Sequence, residues 1–266
     1  MNNEKLRRAE SLKAERRAKK HTVRNVILIC LGVIVLGFLG GLVHMLNPYR
    51  AEAEAYEYLD TAKENGITVT TEGRYTSFMP AGEDPVAGFI FYPGANVESE
   101  AYIPLMELLA EKNVFAVLVD FPLDFAFFGK NSADEVRTLY PEITSWYIGG
   151  HSLGGAVASM YLEDNYEYYD GLVLLGSYCY PDLSQTDLKM LSVYGTEDGI
   201  LNRKNYEKHR SCMTEDAFEV LIKGGCHSYF GDYGMQHRDG NPTITREEQL
   251  EWTATDIYKL ITMDYE

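Results

Sequence analysis

The chain has 266 residues, 45% hydrophobic and 24% charged, enough to bury one large core, so one principal domain of roughly 200 residues is expected. Its formal net charge of -16 hides a division: residues 1–25 hold nine Lys/Arg against three Glu, a net of +6 that leaves -22 for the rest. An acidic body of that size excludes nucleic acid as its main partner, because phosphate binding rests on Lys/Arg neutralisation.

Residues 1–24 form a basic segment, and residues 25–46 then carry no formal charge. That run is long enough to cross a bilayer as one helix. The basic flank puts the N-terminus in the cytoplasm, so the expectation is a single-pass signal-anchor in the cell membrane with the remaining chain extracytoplasmic. A cleaved signal peptide is the competitor, with Ala51-Glu52-Ala53 imitating a cleavage site; the apolar run is long for that reading. Residues 47–65 read as a juxtamembrane helix closed by Gly66 that stands the body, residues 66–266, off the membrane. Of four cysteines, Cys30 falls in the apolar run, leaving Cys179, Cys212 and Cys226 in the body. With no Cys-x-x-Cys spacing, free buried thiols are expected.

In the body, Ile67 to Thr71 and Arg74 to Phe78 read as a hairpin turning at Glu72-Gly73. Strand and helix then alternate. Strands are expected over 86–92, 114–119, 145–148, 171–175, 190–194 and 217–222. Helices are expected over 99–112, 133–140, 154–165, 202–208 and 245–263. The fold class is therefore α/β, a mostly parallel central sheet with helices on both faces, whose ligands gather beyond the carboxyl ends of the strands.

The sequence Tyr147-Ile-Gly-Gly-His-Ser-Leu-Gly-Gly155 places Ser152 at the centre of Gly-x-Ser-x-Gly, between an apolar strand and a helix. Strand, sharp turn and helix are what a nucleophile elbow requires. A serine hydroxyl needs a histidine to take its proton and a carboxylate to hold that imidazole. His227, directly after the last apolar strand, is preferred to His237 in the following loop. Asp198 ends a strand 46 residues after Ser152 and 29 before His227, and is preferred to Glu197. The oxyanion formed on a carbonyl needs preplaced N–H donors. These are expected from Leu153 and from the loop 92–96, with Ala95 chosen over Asn96. Phe121, Phe125, Phe127 and Phe128 follow a strand and offer either core packing or an apolar substrate pocket. Asp232, His237 and Asp239 match no metal-ligand spacing, so neither a metal nor another cofactor is expected.

The order Tyr-Pro-Gly-Ala (92–95), Gly-Gly-His-Ser-Leu-Gly-Gly (149–155), Gly-Thr-Glu-Asp-Gly (195–199) and Gly-Gly-Cys-His-Ser-Tyr-Phe-Gly-Asp-Tyr-Gly (224–234) resembles the α/β-hydrolase superfamily. More narrowly it is similar to the bacterial α/β-hydrolase fold-5 family, compared with dienelactone hydrolases. The resemblance implies a Ser152, Asp198, His227 triad and a carboxylic-ester hydrolase activity, and the partner expected is a small-molecule ester with small or medium groups. Serine stands where dienelactone hydrolases use cysteine, so the dienelactone substrate does not carry over. The gap 177–188 is too short for the lid that many members of the superfamily insert there, so no sizeable lid is expected. A thioesterase, amidase or peptidase would use the same triad, and a non-catalytic cell-surface interaction domain would share the fold.

Overall fold

A computed structural model describes residues 47–263 apart from residue 83, together with residues 7, 19, 20, 25, 28–37, 40 and 41. Contacts divide the chain into two units, Met1–Asn47 and Pro48–Glu266. In the first, residues 28–37 are helical; among the described residues, no helix is long and apolar enough to cross a membrane. Much of the basic segment and part of the expected span 25–46 lie outside the described residues.

The second unit is built on one eight-stranded sheet, β1 (Thr68–Glu72), β2 (Tyr75–Met79), β3 (Ala87–Tyr92), β4 (Val114–Val119), β5 (Trp146–His151), β6 (Gly171–Leu175), β7 (Lys189–Gly195) and β8 (Phe218–Ile222). The strand order is β1-β2-β4-β3-β5-β6-β7-β8. β2 runs antiparallel to both neighbours, and every other pair is parallel. The hairpin turn is Gly73-Arg74 rather than Glu72-Gly73: Glu72 pairs with Tyr75, and Gly73 takes the positive φ of 62° that a two-residue loop demands.

Helices α1 (Ala53–Glu64), α2 (Ile103–Glu111), α3 (Ser132–Leu139), α4 (Leu153–Leu162), α5 (Arg203–His209) and α6 (Arg246–Thr262) complete the unit. Side chains alternate across a strand, so β3 sends Phe89 and Phe91 to one face and Ile90 and Tyr92 to the other. The first face packs under α1, α2 and α6 through Ala62, Leu105, Leu109, Ala254 and Ile257. The second packs under α3 and α4 through Val136, Val157, Ala158 and Tyr161. Strands β3 to β6 are buried throughout, as expected of a parallel sheet covered on both sides.

Three differences from the sequence reading have physical causes. Residues 48–65, expected as a juxtamembrane helix before a body beginning at residue 66, fall in the sheet-bearing unit, where α1 buries Ala55 and Ala62 completely. β5 continues past Ile148 to His151: glycine is a poor strand former, but here Gly149 and Gly150 admit close backbone approach, a Cβ on Gly150 meeting Tyr92 O at 2.4 Å. The helix expected from Ser99 opens as a 3-10 turn, Ser99–Tyr102, and becomes α-helical at Ile103 with Pro104 in its first turn, where proline's missing N–H costs nothing. Residues 176–188, between β6 and β7, hold no helix or strand, and Cys179, Cys212 and Cys226 are free thiols.

Candidate active site

Ser152 sits between β5 and α4 with φ 53° and ψ -121°, a strained conformation for a residue with a Cβ. Its surroundings hold it there. Ser152 N–H donates to Leu175 O at 2.8 Å, and Ser177 Oγ donates to Ser152 O at 2.7 Å. Gly154 makes the turn possible, since a Cβ there would lie 2.0 Å from Tyr92 O. The elbow predicted from Gly-x-Ser-x-Gly is therefore present, on the strand and helix expected.

The loops after β7 and β8 bring Asp198 and His227 together. His227 Nδ1 and Asp198 Oδ2 are 2.8 Å apart, both side chains buried. The other carboxylate oxygen, Oδ1, accepts the N–H groups of Ile200 at 2.9 Å and Leu201 at 2.7 Å. An ionised carboxylate only accepts, so Nδ1 is the donor in this pair. Nε2 is buried with no hydrogen-bond partner among the described residues. The rivals lie elsewhere: Glu197 and His237 are exposed.

Two residues to which the sequence assigns no catalytic part complete the frame. Asp239, considered only as a metal ligand, accepts Gly199 N–H (3.0 Å) and Gly240 N–H (2.8 Å) at Oδ1, and Ser228 N–H and Oγ–H (2.7 Å each) at Oδ2. His227 N–H reaches Oδ1 as well, at 3.3 Å. Asp239 thus joins the loop of the acid to the loop of the histidine. His151 is buried with its ring centroid 4.4 Å from that of His227. Burial, then the neighbouring His227, hold its pKa well below the usual imidazole value, so it is neutral. The Tyr102 hydroxyl accepts Gly94 N–H at 3.0 Å and lies 2.8 Å from His151 Nδ1.

The loop after β3 lies against this cluster. Gly94 N–H is taken by Tyr102, and Asn96 N–H by Asp124 O at 2.8 Å, so both neighbours of Ala95 spend their amides inside the protein. Leu153 is the first residue of α4, where helix N–H groups have no intrahelical acceptor and the helix dipole favours an anion.

Ser152 and His227 open into a cavity of ≈ 230 Å³, lined also by Leu153, Tyr178, Ile200 and Leu201. Phe125, Phe127 and Phe128 are not brought to it. Phe127 and Phe128 are 53% and 56% exposed and line a separate depression with Arg74 and Lys130, Phe125 is half-buried beside Phe128, and Phe121 is in the core. The physical reason is the backbone path: Leu123 and Asp124 both have φ 57°, which turns the segment out of the line of β4. Tyr178, Ile200 and Leu201 take the place expected of the phenylalanines. They come from loops after β6 and β7, and no local pattern marks them. A hydroxyl and an imidazole at one cavity, the imidazole bonded to a buried carboxylate, beside a helix N-terminus, are the groups that acyl transfer needs.

No curated protein sequence matches the chain. Similar solved structures include a predicted CIB-like hydrolase from Thermoplasma acidophilum, 14% identical with a TM-score of 0.55, covering 73% of this chain and 100% of that one. Est1E from Butyrivibrio proteoclasticus, solved with ferulic acid bound, is 14% identical with a TM-score of 0.56, over 74% of this chain and 97% of that one. A membrane phospholipase A described as a bacterial virulence factor is 12% identical with a TM-score of 0.55, over 92% of this chain and 98% of that one. Identities this low establish the shared fold alone. The sequence model of the alpha/beta hydrolase family matches residues 88–251, more than half of the chain and the stretch that holds Ser152, Asp198 and His227, and the chain belongs to that family, in its fold-5 branch.

Proposed function

We propose that the protein is a serine hydrolase cleaving small carboxylic esters through an acyl-enzyme on Ser152, anchored in the cell membrane by residues 25–46 with its hydrolase domain extracytoplasmic. The observation that carries the catalytic reading is Ser152 on a strained elbow at the same cavity as a His227 whose Nδ1 is held by Asp198 at 2.8 Å. In this reading Ser152 Oγ attacks the ester carbonyl as its proton passes to His227 Nε2. The Leu153 and Ala95 amides hold the oxyanion. Collapse breaks the carbon–alkoxy bond, and His227 gives the proton to the leaving alcohol. Water, deprotonated by the same histidine, then attacks the acyl-serine and releases the carboxylic acid. The volume of ≈ 230 Å³ supports small acyl groups. The anchor reading rests on the uncharged run and its basic flank.

The test is labelling of the full chain with a fluorophosphonate, beside hydrolysis of esters of graded acyl length. Ser152→Ala should abolish labelling and lower kcat by at least about 10³-fold while the protein stays folded; His227→Ala should do nearly the same. Turnover should be greatest for short acyl chains. Labelling or turnover that survives in Ser152→Ala would sink the assignment. Extraction of the protein from membranes by alkaline carbonate would sink the anchor.

A further inference from the structure

Residues 49–52 run between two loops of the site and bond to both. On one side, Tyr49 N–H donates to Asn96 O at 2.8 Å and Glu98 N–H donates back to Tyr49 O at 3.0 Å, a parallel bridge to Val97. Ala51 N–H adds a bond to Glu98 Oε2 at 3.1 Å. These contacts clamp residues 96–98, directly after Ala95. On the other side, Glu52 N–H donates to Asp232 O at 2.9 Å, and His237 N–H donates to Tyr49 Oη at 3.3 Å. The Tyr49 ring packs on Tyr233 with centroids 5.8 Å apart. Arg246 locks this side by pairing with Glu52 at 3.0 Å and with Asp232. Stretch 232–237 belongs to the loop that begins at His227, and Tyr233 itself lies 6.4 Å from both Tyr102 and His151, ring to ring. The His227 loop also bonds to the 3-10 turn that follows 94–98, through Asp232 N–H to Ala101 O at 2.7 Å.

We propose that residues 49–52 are a positioning strap for the reaction, holding the 94–98 backbone, and with it the Ala95 amide, in register with the His227 loop, with Tyr49 as the positioning residue at its centre. The inference rests on the ester-hydrolase reading above and deepens it. An oxyanion donor accelerates a reaction only if it already stands about 2.7–3.1 Å from where the charge develops. Loops are the most mobile parts of a fold. The strap gives a loop the backbone hydrogen bonds that a strand would receive from a neighbour, and it ties that loop to the one bearing the base. Tyr49 touches no reacting atom, so its effect is on the rate of the chemical step more than on substrate binding.

The experiment compares Tyr49→Phe, Tyr49→Ala and Tyr49→Pro in the full chain. Ester hydrolysis, backbone hydrogen exchange over 94–98 and 227–237, and melting temperature are read for each. Tyr49→Pro removes the N–H given to Asn96, and Tyr49→Ala removes the ring. Each should lower kcat about 10- to 100-fold with KM within about 3-fold, a fraction of the loss of a whole oxyanion donor, and should speed exchange in both loops. Tyr49→Phe keeps the ring and the backbone bonds and loses only the Oη that accepts His237 N–H, so its loss of kcat should be about 3-fold and smaller than that of Tyr49→Ala. Unchanged kcat and exchange in Tyr49→Ala and Tyr49→Pro would overturn the strap. So would a loss of activity that only tracks the loss of folded protein. A wild-type chain without Ser152-dependent turnover would overturn the hydrolase reading first and the strap with it, an outcome distinct from an active wild type that tolerates the variants.

Discussion

Asp239 receives five hydrogen bonds from the loops of the acid and the histidine. Burial pushes its pKa up, but the Ser228 hydroxyl and the amides of Gly199, Ser228 and Gly240 outweigh burial and hold it below the usual carboxylate range. A depressed folded pKa contributes stability that is present above the unfolded value, about 3.9, and lost as pH falls through the folded one. Asp239→Asn offers an N–H₂ where N–H groups point in. It should destabilise the protein by about 1–3 kcal/mol at pH 7 and lower kcat. The stability gap between variant and wild type should hold constant in urea melts from pH 7 down to about pH 4 and shrink only below that. An equal gap at every pH would show that the carboxylate charge is not what holds the two loops. None of this is visible along the chain, because Gly199 and Asp239 are 40 residues apart and meet only when β7 and β8 lie side by side.

At the scale of elements, local pattern carries more. Helix α6 begins at a capping box: Thr245 Oγ1 accepts Glu248 N–H at 3.2 Å, and the Glu248 carboxylate accepts Thr245 N–H at 2.8 Å. Thr245→Ala should therefore cost about 1 kcal/mol, read as a lowered denaturation midpoint, with ester turnover unchanged. A full loss of folding would mean that the cap supports more than its own helix. Such a box is readable in four consecutive residues, and the expected helix 245–263 was correspondingly close to the observed Arg246–Thr262. The strand expected at 114–119 was also observed, because a buried parallel strand is a continuous apolar run. β5 was read short because Gly149 and Gly150 look like a strand's end, and only the neighbouring strands show why they are glycines.

At the scale of the molecule, the acidic body places one carboxyl in an unfavourable position. Glu107 on α2 is 1% exposed, and burial, followed by repulsion from Glu111, pushes its pKa up to about 7, against an opposing hydrogen bond from Asn65. The folded protein keeps this proton over a range in which the unfolded chain releases it. Stability therefore falls as pH rises from the ordinary carboxylate value towards 7. Glu107→Gln should raise the melting temperature by about 2–4 °C at pH 8 and leave it nearly unchanged at pH 5, since roughly 1 kcal/mol shifts a domain of this size by that much. A variant no more stable than wild type at pH 8 would show that Glu107 is ionised without penalty.

Neighbouring residues carry the alternation of strands and helices, the elbow at Ser152, and the order of Ser152, Asp198 and His227, which belongs to one fold. Those features depend on periodicity, on glycines beside a strained turn, and on motifs a few residues long. Everything that depends on distant segments meeting came from the folded chain. It joined Tyr49 to His237 across 188 positions, closed Asp239 onto two loops, packed α1 into the domain, and lined the cavity with Tyr178, Ile200 and Leu201 while leaving Phe127 and Phe128 outside it. The reason is that a side chain's chemistry is local, whereas its partners are set by sheet order and loop path, which no short stretch of chain encodes.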